Sequence, residues 1–67
     1  MEYNVTFIGS HTVVCTSVDK TYDLLKEKGF IPDSMSKTVA VKHIVHGMVR
    51  VGHVCFKKEN GEQAAVW

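Results

Sequence analysis

The amino-acid sequence predicts a small α+β fold, an antiparallel β-sheet with one amphipathic helix packed on one face. Apolar and polar residues alternate near the N-terminus with the period of a strand, and the period becomes helical after Thr16. From Thr38 onward, β-branched runs punctuated by glycine turns indicate strands again. The predicted order of elements is therefore β-β-α-β-β-β.

The N-terminal part predicts a β-hairpin with strands at residues 3–8 and 12–16. Its turn is the segment Gly9-Ser10-His11. A three-residue loop would pair Phe7 with Val13 and Val5 with Cys15. The positions expected on one apolar face are Tyr3, Val5, Phe7, Val13 and Cys15.

A helix is predicted over residues 18–28, because Val18, Tyr22 and Leu25 recur at i, i+4 and i+7. Its free N–H groups can be capped by Thr16, Ser17 or Asp19. Gly29 suits the left-handed position that ends a helix, and Phe30 is then placed to contact Leu25. Residues 31–37 contain Pro32 and polar residues, so we expect a surface linker there.

The rest of the chain predicts three strands, at residues 38–45, 48–58 and 62–67. The turns between them are His46-Gly47-Met48 and Asn60-Gly61, the second being a strong two-residue hairpin signal. This register pairs Val39 with Cys55 and Cys55 with Val66. It gives the sheet one face of Val39, Val41, His43, Val45, Val49, Val51, His53, Cys55 and Val66, and another of Lys42, Ile44, Arg50, Val54, Phe56, Ala65 and Trp67.

Both of these faces are apolar, whereas a single helix can cover only one of them. The valine-rich face is the better core, since it is continuous and in phase with the first hairpin. The other face would then be exposed, and aromatic residues ringed by basic ones are typical of binding surfaces. The predicted partner-binding residues are Phe56, Trp67, Val54, Ile44, Arg50 and Lys42.

Two alternatives to an exposed binding face stay open. The last strand could curl, so that Phe56 and Trp67 pack against the Phe30–Met35 segment. A register error of one residue would instead exchange the two faces, because side chains alternate along a strand.

Length and composition limit the classes of function. A chain of 67 residues makes one domain, residues 1–67, and its 45% apolar content suffices for a core. A net charge of +1 and a pI of 7.8 argue against an acidic mimic of nucleic acid and against a domain that binds phosphates through a large positive surface. We expect a cytoplasmic protein with reduced thiols and no membrane partner, because no signal peptide, membrane span or cysteine framework is evident.

No motif indicates a cofactor, a metal or a catalytic centre. Cys-x-x-Cys and phosphate-loop spacings are absent. A zinc site built from Cys15, His43, His53 and Cys55 is less favoured than the interpretation that the histidines are structural, partly buried and hydrogen-bonded. Cys55 and His53 are the one nucleophile and base pair, but valine-lined surroundings disfavour a thiolate and no carboxylate orients the base. We therefore expect no enzyme.

These observations favour a protein-interaction module, an inhibitor or adaptor that binds a larger protein. It would use the Phe56/Trp67 face and an exposed strand edge. A phage or mobile-element inhibitor of a host protein fits this size, and a homodimer through the same face is compatible with it. The alternative is a single-stranded nucleic-acid-binding module, in which Phe56 and Trp67 stack on bases while Lys42 and Arg50 hold phosphates.

Overall fold

The computed structural model describes residues 2–67 and confirms the α+β class. A four-stranded antiparallel sheet is covered on one face by two helices. The sheet has the order β2-β1-β4-β3, so β2 and β3 are its edges. The elements are β1 (Tyr3–Phe7), β2 (Thr12–Cys15), α1 (Val18–Glu27), α2 (Lys37–Arg50), β3 (Val54–Lys57) and β4 (Gln63–Val66).

The predicted N-terminal hairpin is confirmed, with a different register. Val5 pairs with Val13 rather than with Cys15, because the loop comprises residues 8–10 and the Phe7 N–H donates to the His11 carbonyl at 2.9 Å. Gly9 provides the turn with a φ of +82°. A shift of two residues leaves every side chain on its predicted face, since the period of a strand is two.

Helix α1 follows the prediction closely. Its N-cap is Ser17, whose Oγ accepts the Lys20 N–H at 3.1 Å. At the other end, Gly29 has a φ of +84°, and the Phe30 N–H donates to the Leu25 carbonyl at 2.9 Å. These bonds form the expected glycine-based helix end.

Helix α2 corrects the predicted strand at residues 38–45 and the first part of the predicted strand at residues 48–58, of which Val54–Lys57 is extended as β3. Ser36 caps the helix by accepting the Val39 N–H at 3.2 Å. Ala40 and Ile44, four residues apart, are buried on the sheet, and Met48 continues the stripe half-buried. This period-four core contact overrides the weak strand preference of the valines, since tertiary packing outweighs local propensity. The observed order is therefore β-β-α-α-β-β.

The Asn60-Gly61 hairpin is confirmed, but its register differs by one residue from the prediction. Cys55 pairs with Ala65, because Lys58 and Glu62 close a three-residue loop with an N–H to carbonyl distance of 2.8 Å. Gly61 takes the left-handed position, with a φ of +93°. This shift turns Val54 and Phe56 toward the helices and Cys55 away from them, which exchanges the predicted faces of β3.

One core lies between the sheet and the two helices. Its buried apolar members are Tyr3, Val5, Phe7, Cys15, Leu25, Phe30, Ile31, Ala40, Ile44, Val54, Phe56, Ala64 and Val66. The predicted valine-rich core face is wrong for Val39, Val45, Val49 and Val51, which are exposed. The alternative of a curled last strand, with Phe56 and Trp67 in a second cluster against the Phe30–Met35 segment, is also wrong, since Phe56 belongs to the one core and Trp67 is exposed.

Within residues 2–67, no helix has the length and apolar character needed to cross a membrane.

Candidate functional site

The six predicted partner-binding residues do not form one surface. Ile44, Val54 and Phe56 are buried in the core, so the prediction that they are exposed is wrong. The physical reasons are the helical conformation of residues 37–50 and the one-residue register shift of β3. Lys42 and Arg50 are exposed on α2, whereas Trp67 lies on the sheet face that the helices leave open.

Trp67 is hydrogen-bonded to β1 on that open face. Its Nε1 donates to the Thr6 Oγ1 at 3.1 Å, and its backbone N–H donates to the Asn4 carbonyl at 3.0 Å. The side chain is still 54% exposed. Since the sheet separates it from Lys42 and Arg50, and Phe56 is buried, the predicted base-stacking platform does not form.

Exposed residues of α2 and its C-cap, Val51, make a different surface, which the structure brings together. We define the α2 outer surface as the group Val39, Lys42, His43, Val45, His46, Val49, Arg50 and Val51. Its valines are well exposed: 54% for Val39, 39% for Val45, 76% for Val49 and 66% for Val51. Basic and imidazole side chains stand among them, and α2 contains no Asp or Glu.

The charges of this surface lack counterions within the described part of the chain. Three ion pairs occur there, Lys26–Asp33, Lys37–Asp19 and Lys58–Glu62. None of them includes Lys42 or Arg50. The α2 outer surface is therefore a local positive region on a chain with a net charge of only +1.

A shallow groove of ≈ 520 Å³ runs along this surface, lined by Val39, Lys42, His43, His46, Gly47, Arg50 and Val51. It lies on the flank of α2 that meets β3. The His43 ring packs edge-on against the Phe56 ring, with centroids 5.4 Å apart and planes at 85°. Gly47 faces Val54, where an added Cβ would lie 2.8 Å from the Val54 Cβ.

Among the described residues, no strand pairs with the outer edge of β3, which lies beside the groove. Hydrogen-bonded pairs alternate along antiparallel strands, and the Lys58 N–H bonds to the Glu62 carbonyl. By the same alternation, the backbone N–H and C=O groups of Val54 and Phe56 point toward β4. The backbone N–H and C=O of Cys55 and Lys57 therefore point away from the sheet, and both residues are exposed.

The residues considered for metal binding or catalysis are separated. Cys15 is buried beneath the helices, whereas Cys55 is exposed, so the predicted valine-lined surroundings of Cys55 are wrong. His43 and His53 are exposed rather than part of a core face. Among residues 2–67, no three His, Cys, Asp or Glu side chains lie close enough together to hold a metal ion.

The ion pair between Lys26 and Asp33 shifts the pKa values of both groups, and it lies outside the α2 outer surface. The Lys26 Nζ donates to the Asp33 Oδ1 at 2.9 Å and so connects α1 to the segment before α2. This hydrogen bond lowers the pKa of the Asp33 carboxyl and raises the pKa of the Lys26 ammonium.

Sequence reasoning placed five residues of this surface on the predicted core face instead: Val39, His43, Val45, Val49 and Val51. The signal available for them was the recurrence of basic and imidazole residues at 39–50 with helical spacing and without any acidic residue. Comparison with known proteins found no matching family, no similar curated protein and no similar solved structure. Function is therefore inferred from the geometry alone.

Proposed function

We propose that this chain is a non-enzymatic protein-interaction module, an inhibitor or adaptor that binds a larger protein through the α2 outer surface. The observation that carries the proposal is a helix that, with its C-cap Val51, exposes four valines beside Lys42 and Arg50, which lack a counterion within the described residues. Exposed apolar residues rimmed by basic ones are the usual composition of a binding patch. A phage or mobile-element inhibitor of a host protein would be one such module.

The energetics of α2 support this proposal. A β-branched residue in a helix is less favourable than alanine by roughly 0.5 kcal/mol, because its side chain loses rotamer freedom. Val39 and Val49, both inside α2, recover little of this cost through burial, being 54% and 76% exposed. Alanine at these positions would therefore serve folding better, and the valines gain a role if a partner buries them.

The arrangement of potential catalytic groups is consistent with a binding role. Covalent catalysis needs a nucleophile with a base in reach and a third group that orients the base. Cys55 lies on the exposed side of β3, and His43 and His46 stand on a helix that has no carboxylate.

A second copy docked by the same surface would bring the two sets of cations together, so a different protein is the better partner.

The experiment is capture of partners from nuclease-treated lysate of the source cells, with the tagged chain as bait and mass spectrometry as readout. The test variant is the double substitution Val49→Glu and Arg50→Glu. Its matched control is Ile8→Glu with Lys20→Glu, which makes the same change in net charge at exposed positions outside α2.

We expect a protein that the parent and the control both recover and the α2 variant loses. Recovery of the same protein by the α2 variant, with circular dichroism showing that it is folded, would contradict the proposal. Loss upon Trp67→Ala but not upon the α2 changes would place the binding site on the open sheet face.

Single-stranded nucleic acid is the second candidate partner, and it is favoured by Lys42 and Arg50, which form no ion pair within residues 2–67. The burial of Phe56 argues against base stacking as its basis. Binding to a labelled single-stranded oligonucleotide at low salt, lost upon reversal of these two charges and steeply weakened by added salt, would support this candidate.

A further inference from the structure

We propose that the partner binds as an acidic β-strand, which pairs with the free edge of β3 while its carboxylates face the α2 outer surface. This inference rests on the proposed function and specifies its partner. Two adjacent features carry it: an edge strand with unpaired backbone groups, and a flanking helix whose only charges are positive.

The first feature is the availability of the β3 edge. An edge strand presents a row of free N–H and C=O groups that can pair with another chain. On β3 these groups belong to Cys55 and Lys57, and neither residue is covered by another part of the described chain. The strand is short, spanning Val54–Lys57, so a partner would gain few backbone bonds and would need side-chain contacts for affinity and specificity.

The second feature is the position of α2 relative to that edge. An added strand would lie about 4.8 Å beyond β3, in the plane of the sheet. Every second side chain would then point to the helix side of the sheet, along the flank where His43 meets Phe56 and Gly47 meets Val54. Lys42, His46 and Arg50 line the same groove.

The spacings are compatible with this arrangement. His43 and Arg50 are seven residues apart on a helix, which is about 10.5 Å at 1.5 Å per residue. Side chains on one face of a strand recur about every 6.6–6.8 Å. Two alternate side chains of the partner therefore fit along this length of the groove, and carboxylates there would meet Lys42 and Arg50.

The other edge of the sheet provides an internal contrast. Strand β2 is also free on one side, but the helix packed over β1 and β2 is α1. Helix α1 carries three acidic residues, Asp19, Asp23 and Glu27, against two lysines, so its formal charge is negative whereas that of α2 is positive. An acidic strand should therefore prefer β3 to β2.

The test uses a short synthetic peptide of alternating valine and glutamate, with alternating valine and lysine as its control. Binding is followed in amide spectra of the full ¹⁵N-labelled chain at low salt. We expect the amides of Cys55 and Lys57, together with those of the α2 outer surface, to shift and to gain protection from exchange. The lysine peptide should bind at least about tenfold more weakly.

Two variants separate backbone pairing from charge. Cys55→Pro removes an edge N–H, and Val14→Pro removes the equivalent outward N–H on β2 as its matched control. We expect a loss of about tenfold or more for Cys55→Pro and less than about twofold for Val14→Pro. Lys42→Glu with Arg50→Glu leaves the edge intact and should reverse the preference toward the lysine peptide, whether or not the proline variant folds.

Several results would overturn the inference. Binding that shifts α2 amides while Cys55 and Lys57 stay unchanged would show docking without strand pairing, and the proposed function would still stand. Equal affinity for both peptides, pairing at β2, or no binding of the glutamate peptide would also refute it. Tighter binding of a single-stranded oligonucleotide to the same residues would assign the surface to nucleic acid instead.

Discussion

Substitution of Gly47 by alanine tests the packing of α2 on β3, on which the α2 outer surface and its neighbouring edge both depend. Gly47 lies inside the helix Lys37–Arg50. A Cβ at this position would lie 2.8 Å from the Val54 Cβ and 3.2 Å from the His53 carbonyl oxygen. Neither atom is the flexible end of a side chain, so backbone segments would have to move apart.

The two contributions to the effect oppose each other. Alanine is favoured over glycine within a helix by about 1 kcal/mol. Carbon atoms prefer separations of about 3.5–4.0 Å, so the new methyl group would overlap Val54 by about 1 Å. Overpacking of this kind costs about 1–3 kcal/mol. We therefore expect Gly47→Ala to lower the free energy of unfolding by about 1 kcal/mol, and to lower Tm by about 4–8 °C.

The assay is urea unfolding followed by circular dichroism, with Val49→Ala as the control. Val49 is 76% exposed on the same helix, so its replacement should raise the free energy of unfolding by roughly 0.5 kcal/mol. If Gly47→Ala also stabilised the protein, by the full helix propensity of about 1 kcal/mol, α2 would not approach β3 this closely and the described groove would be wrong.

Three further predictions concern the core, a buried hydroxyl and the charged pair. Leu25→Ala should lower the free energy of unfolding by about 2–5 kcal/mol in urea titration, because Leu25 is fully buried; a smaller loss would contradict its central position. Thr21→Val should lower the free energy of unfolding by less than about 1 kcal/mol in the same titration. The Ser17 carbonyl still accepts a hydrogen bond from the Thr21 N–H when the hydroxyl is removed. The pKa of Asp33, measured by NMR titration, should lie below its usual range, because Lys26 donates a hydrogen bond to the carboxylate. In Lys26→Met this pKa should rise toward the usual range. As the folded-state pKa is the lower one, the stabilisation by this pair is present above the unfolded pKa and is lost as the pH falls through the folded value, and an Asp33 titration unchanged by Lys26→Met would refute the assignment.

The first half of the fold can be predicted from the sequence, because local conformational preferences and tertiary packing agree there. The alternation of Tyr3, Val5 and Phe7 matches their burial on one sheet face. The Ser17 cap and the Gly29 helix end are both local hydrogen-bonding devices, so the residues themselves specify them.

The second half shows the opposite situation. Val39, Val41 and Val45 alternate with the period of a strand, yet the contacts of Ala40 and Ile44 with the rest of the core decide in favour of a helix. At the last hairpin, Asn60-Gly61 correctly indicates a turn but allows both two-residue and three-residue loops. The longer loop shifts β3 by one residue and buries Phe56, which the shorter one would expose.

The predicted site followed from that register, and for this reason only part of it stays on the surface. Lys42 and Arg50 are exposed as expected, but their neighbours on α2 are valines and histidines rather than Phe56 and Trp67. Their role in binding a partner stays a prediction.

The most direct test of the central claim is hydrogen–deuterium exchange of the chain with and without its captured protein partner, resolved to single amides. Binding through the α2 outer surface predicts slowed exchange in α2, and strand pairing adds slowed exchange at Cys55 and Lys57 of the β3 edge, with no change at Thr6 or Val14. Protection confined to the open sheet face around Trp67, with α2 unaffected, would contradict the account.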